Sequence, residues 1–176
     1  IIVEGVPLIP ETPHDLFLAK LFFFLSNTNS AKIARHEIRE RGGYFHASVL
    51  GLVSFLGRFG LIRRAVRWGA YIVSPKSRYK KYFEKYNPDL IFATDIFRHQ
   101  DVDVMREAHS RGILTLGMVR SRDNISTKGL NHFVSDYVIV QAEKMREDTI
   151  KYCDVNPRRI SIVGVPHYDS YITDKR

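Results

Sequence analysis

The strongest constraint on the fold is a rhythm in the second half of the chain. Four short apolar runs, Asp89–Thr94 (DLIFAT), Ile113–Val119 (ILTLGMV), Tyr137–Val140 (YVIV) and Ile160–Val163 (ISIV), begin about two dozen residues apart. They are rich in β-branched and aromatic residues and lack strict polar alternation, the pattern of strands covered on both faces. Between the first two, DVDVMREAHSRG places Val102, Met105 and Ala108 at helical spacing, and Gly112 supplies a stop. Between the last two, AEKMREDTIKYCDVNP carries an apolar stripe of Met145, Thr149, Ile150 and Cys153. Strand–helix–strand units of this length, with right-handed crossovers, dictate a parallel sheet. The expected fold class is α/β: an open parallel sheet with helices on both faces.

The first half is less regular. Ile1–Leu8 reads as a strand ended by Pro7 and Pro10. Thr12-Pro13-His14-Asp15 is a helix opening, with Thr12 as N-cap, Pro13 at the first helical position and Asp15 in the first turn. It predicts a helix over Pro13–Leu25, against a competing strand over Lys20–Ser26 that the cap disfavours. A second helix is expected over Ser30–Arg41, ended by Gly42-Gly43. From Phe59 to Val73 the helical period puts Phe59, Ile62, Ala65, Val66, Gly69 and Ile72 on one face and Arg63, Arg64 and Arg67 opposite. Two readings fit that stripe. Either the apolar arc packs on the sheet under a solvated arginine face, or the helix forms a membrane or phosphate patch with Trp68 at its boundary. Ser77–Tyr86 continues as a short basic helix stopped by Asn87-Pro88.

Charge narrows the partner question to that region. The net charge is +8, and Arg58–Lys85 alone holds nine basic residues against Glu84, leaving eighteen of each sign elsewhere. No specific nucleic-acid partner is expected from so local a bias. The single cysteine, Cys153, excludes an internal disulfide framework and fits a reducing, cytoplasmic compartment. The most apolar run, Leu16–Leu25, is too short for a bilayer of roughly 30 Å and contains Lys20. Phosphate-loop, dinucleotide, nucleophile-elbow and Cys-x-x-Cys motifs do not occur, and the seven histidines show no metal-ligand spacing. No metal is expected.

Chemistry is expected where parallel strands end, because ligands bind outside the carboxyl edge of such sheets. Three ends are polar here. Asp95, Arg98 and His99 follow the first strand, Arg120–Gly129 the second, and Gly164–Asp169 the fourth. A loop with Arg, Asp, Asn and Lys together suits hydroxyl-rich or phosphorylated ligands.

The same residues carry a resemblance. The run Tyr86–Asp95 (YNPDLIFATD), then Gly117–Asn124 (GMVRSRDN), then Ile160–Pro166 (ISIVGVP) resembles the N-terminal, Rossmann-like lobe of two-lobed (GT-B) bacterial surface-polysaccharide glycosyltransferases. It is more loosely similar to non-hydrolysing sugar-nucleotide 2-epimerases and CDP-glycerol phosphotransferases. The match covers about Tyr86–Tyr171, and Arg122 stands where those families usually carry an aromatic residue.

The resemblance implies transfer of a sugar from a nucleotide sugar to an acceptor hydroxyl, with no tightly bound cofactor. The acceptor would be a surface polysaccharide or a lipid-linked glycan, met at the inner membrane face. Residues 1–165 would form the acceptor lobe and 166–176 the start of a linker to a donor-binding lobe. On that reading the fragment alone is inactive. Asp95 and Asp123 are the candidate general bases, with His99, His132 and His167 behind them. Arg98, Arg120, Arg122, Asn124, Lys128 and His167 are the candidate binding residues. Two alternatives stay open: an epimerase lobe, although its usual loop glutamate is replaced by Asp123, and a non-catalytic basic module docking on membrane or nucleic acid through Arg58–Lys85.

Overall fold

The computed structural model describes residues 9–75 and 77–165. Expectations placed on Ile1–Leu8, on His167 and on the linker therefore lie outside the described residues. Helices α1 (Pro13–Leu25), α2 (Asn29–Glu40), α3 (Tyr44–Leu56), α4 (Gly60–Val73) and α5 (Lys80–Tyr86) come first. Then follow β1 (Leu90–Ala93), α6 (His99–Ser110), β2 (Leu114–Met118), α7 (Arg122–Thr127), β3 (Tyr137–Val140), α8 (Glu143–Cys153), a 3-10 turn (Pro157–Arg159) and β4 (Ile160–Ile162).

The four strands are parallel neighbours in the order β1-β2-β3-β4, as the rhythm of apolar runs requires. Register aligns Ile91 with Thr115, Ala93 with Gly117 and Val138, and Val138 with Ile160. Residues paired this way share a face, and this face is the buried one. Ala93, Val138, Val140 and Ile160 pack there against Val102 and Met105 of α6 and Met145 and Cys153 of α8. Gly112, with φ +73, ends α6 in the left-handed region that favours glycine.

On the other face Leu90, Phe92, Leu114 and Tyr137 stay about half exposed. Consecutive strand order gathers both long crossover helices on one side. The fold is the expected α/β open parallel sheet flanked by helices, with α6 and α8 packed on its buried face.

The helical half holds to the N-cap logic. Thr12 and Asp15 form a reciprocal capping box, and α1 spans the expected residues, so Lys20–Ser26 is the end of that helix with its C-cap and not a strand. Helix α3 lies outside the expected helices. Its sequence is apolar nearly all round, which blurs the period that reveals a helix. The stretch after β2, expected as a loop, folds over Arg122–Thr127 into the short α7.

Helix α4 is present but turned. Arg67 and Ala70 are buried and Arg63 is half-buried, while Leu61, Trp68 and Ile72 face solvent. This corrects the expectation of an inward apolar arc with Arg63, Arg64 and Arg67 outside. The reason lies in α8, whose last turn leaves Asp154 in a left-handed conformation (φ 57). Arg67 Nη1 donates to Asp154 at 2.9 Å, Arg63 Nε donates to it at 2.8 Å, and Arg67 also donates to the carbonyls of Asn131 and Cys153. A buried carboxylate and free carbonyls demand these donors more strongly than the core demands Leu61 or Ile72. Only Arg64 of the three is solvated.

Candidate functional site

The capping box fixes Asp15 in the first turn of α1, where its carboxylate accepts from the backbone N–H of Thr12 (2.9 Å) and its hydroxyl (2.7 Å). Arg78, just before α5, donates to the same oxygen at 2.9 Å and to Asp103 Oδ2 at 2.7 Å. His99 opens α6, and Asp103 stands one turn further along the same helix face. Their separation is 3.2 Å from Nε2 to Oδ2, and His99 lies 3.5 Å from Asp15. Arg78 Nη1 also approaches His99 Nε2 to 2.7 Å. A guanidinium can only donate, so that nitrogen of His99 serves as the acceptor. Arg106, 2% exposed, stands 3.6 Å from Asp103. Two carboxylates and two guanidiniums thus neutralise one another in the interior. The balance is incomplete in hydrogen bonds, because Asp103 Oδ1 and Arg106 Nε are buried without partners. Under-satisfied buried groups beside a cleft mark a functional candidate.

Burial and position set the protonation of the cluster. Burial alone would raise the Asp15 carboxyl, but the hydrogen bonds from Thr12 and Arg78 hold it at about 2. Burial raises Asp103, against the pull of Arg78. His132 stacks on Phe22 with centroids 4.4 Å apart, and burial, helped by Arg106, pushes its imidazole down to about 3.

This cluster opens into a cleft of roughly 620 Å³ between α1 and the carboxyl end of β1, with Asp15, Lys20, Phe97, His99, Lys128 and His132 among its walls. Asp95 is buried behind two of the walls, Phe97 and Lys128. Its Oδ1 accepts from Phe97 N at 3.0 Å, turning the chain into α6, and its Oδ2 accepts from Lys128 Nζ at 3.2 Å. The arrangement offers an acceptor nitrogen, a half-exposed ammonium and apolar walls. It suits a hydroxylated ligand with negative charge.

The expected site residues therefore divide. Lys128 and His99 line this cleft, and Asp95 is buried behind Lys128, to which it is bonded. Asp123 and Arg122 are exposed on α7 and line a separate depression with Ser121, Ser126, Asp148 and Tyr152. Asn124 is buried within α7, and Arg98 and Arg120 are exposed and line neither hollow. Asp15, expected only in the first turn of a helix, joins the site together with Arg78, Asp103 and Arg106, none of which lies at a strand end. The signal was there for part of them, since His99, Asp103 and Arg106 sit on α6 at helical spacing beside the buried Val102 and Met105. Among the described residues no group of His, Cys, Asp or Glu is arranged to hold a metal ion. Comparison with protein-family models, with curated proteins and with solved structures finds no match for this chain.

Proposed function

We propose that this chain is the acceptor-side lobe of a glycosyltransferase, moving a sugar from a nucleotide sugar to a polysaccharide or lipid-linked acceptor. The observation that carries the reading is the juxtaposition of His99 and Lys128 in one cleft at the carboxyl edge of a parallel sheet. The acceptor hydroxyl would lie against His99. On this reading Arg78 Nη1 releases His99 Nε2 and keeps Asp103, so that the freed lone pair takes the proton as the oxygen attacks and the nucleotide leaves with the bonding pair; Asp103 and Asp15 then stabilise the resulting imidazolium. Lys128 would hold an acidic or phosphorylated part of the acceptor. Asp95, with both oxygens already engaged, would position Lys128 rather than act as base. The donor would sit mainly on a second lobe, as the family resemblance implies.

The test is sugar transfer by the full-length protein from a panel of nucleotide sugars, alongside acceptor binding by this chain. His99→Ala is expected to lower turnover ~10²–10⁴-fold with little change in acceptor affinity, and Lys128→Gln to weaken acceptor binding. Asp123→Ala is expected to leave both nearly unchanged. Wild-type turnover in His99→Ala, with loss in Asp123→Ala, would move the site to the α7 depression.

A further inference from the structure

Helices α3 and α4 expose what a helix normally hides. Phe45, Val49 and Leu52 on α3, and Leu61, Trp68 and Ile72 on α4, recur at helical spacing and are 45% to 84% exposed. Single exposed apolar residues are ordinary, but two consecutive helices carrying such stripes mark an interaction surface. The inner sides are fixed. Ser54 Oγ donates to the Phe24 carbonyl at 2.8 Å, and Arg67 ties α4 to Asp154. At the corner Phe55 and Phe59 meet edge to face at 5.8 Å, with the Arg58 guanidinium 5.7 Å from the Phe55 ring centre. The outward apolar side chains are thus held in place by buried polar contacts behind them.

We propose that this elbow is a lipid-docking surface, lying in the headgroup layer of an anionic membrane with its outward side chains among the acyl chains. Charge selects the occupant. No Asp or Glu occurs from Arg41 to Phe83, while Arg58 and Arg64 are exposed and Lys32, Arg35 and Arg39 of α2 border Tyr44 and Ser48 of α3. A second copy of the chain docked through the same patch would set arginine against arginine with no carboxylate on α3 or α4 between them. An anionic membrane supplies phosphates for the arginines, acyl chains for the apolar stripes and an interface for Trp68. The bend settles the mode. Thirteen residues of α3 extend about 20 Å, short of the roughly 30 Å hydrocarbon core. Together α3 and α4 have the length and apolarity of a span, but they bend by 105°, and no single described helix is long and apolar enough to cross a membrane. The elbow lies in the interface, as amphipathic anchors do. It rests on different residues from the proposed sugar transfer, and either can fail without the other.

Trp68 is the only tryptophan, so its fluorescence reports the elbow directly. The chain is titrated with phosphatidylcholine vesicles, with and without a one-third share of phosphatidylglycerol, at low and high salt. The emission of Trp68 is expected to shift to shorter wavelength on anionic vesicles, to be quenched by nitroxide-labelled acyl chains, and to recover with added salt. Leu52→Glu with Leu61→Glu is expected to lower partitioning at least about tenfold, and Arg64→Ala about fivefold on anionic vesicles. Both leucines are exposed, at 59% and 79%, so circular dichroism should match the parent; if it does not, Leu61→Ser replaces the pair. Leu114→Glu, on the open sheet face, should bind like the parent. An unchanged Trp68 spectrum at low salt overturns the proposal. So does parental binding by the elbow variants, loss confined to Leu114→Glu, or a lipid-independent dimer that buries Trp68.

Discussion

Arg67 lies beneath the outward apolar face of α4, with Nη1 2.9 Å from Oδ2 of Asp154 and the whole residue 8% exposed. Burial lowers the guanidinium's pKa, and Asp154 opposes that shift. Burial would also raise the Asp154 carboxyl, but the two arginines hold it below the usual range. The pair determines which way α4 faces, and so which side chains the protein shows to its surroundings.

Removing one partner of a buried ion pair leaves the other charge uncompensated, at ~3–5 kcal/mol. Asp154→Asn is the clean variant, since asparagine tolerates the left-handed backbone at this position. Its expected cost is about 3 kcal/mol, read as a lower midpoint in urea at unchanged slope. A loss below about 1 kcal/mol would mean that water already screens the pair.

Close approach decides a second case. In β2, a Cβ added to Gly117 would stand 2.4 Å from Ile96 Cγ2 and 2.6 Å from Ser135 Oγ. Ile96 is fully buried and Ser135 nearly so, and neither has room to retreat. Gly117→Ala is expected to destabilise the fold by about 1–3 kcal/mol, seen as a melting temperature several degrees lower. An unchanged melting temperature would show that the loop after β1 yields easily.

What the sequence made legible follows from physical range. The strands and the caps at Thr12 and Gly112 depend on neighbours a few residues away, and those elements lie where expected. The facing of α4 depends on Asp154, 87 residues from Arg67 along the chain. Periodicity put Arg63, Arg64 and Arg67 together on an outward face because nothing local revealed the Asp154 carboxylate waiting for Arg63 and Arg67. The candidate cleft has the same history. Asp15, Arg78 and Asp103 come from three elements joined only by the tertiary fold, whereas Asp95 and Lys128 belonged to strand ends that topology already singled out. Asp123 shared that strand-end signal, but α7 turns it into a different hollow.

The final prediction concerns pH. His132 has an imidazole at about 3 in the folded chain against 6.5 as its ordinary value, so between those limits the unfolded chain binds a proton that the folded one refuses. Stability is then complete above pH 6.5 and falls as pH drops, by about 1.4 kcal/mol per pH unit from this group. Asp15, held at about 2 against 3.8, adds a second loss that begins only below pH 4, as its salt bridge to Arg78 is protonated away. Asp103 works against both, since burial raises its carboxyl and the folded chain keeps that proton more readily. The contributions separate by window, and so by variant. Urea unfolding from pH 7 to pH 3 should show the parent losing stability steadily below 6.5. In His132→Gln the curve should flatten between 6.5 and 4 and keep the fall below 4. In Asp15→Asn the upper slope should persist while the lower one softens. Equal slopes between pH 6.5 and 4 in the parent and His132→Gln would mean that the imidazole reaches water and is protonated in the folded chain.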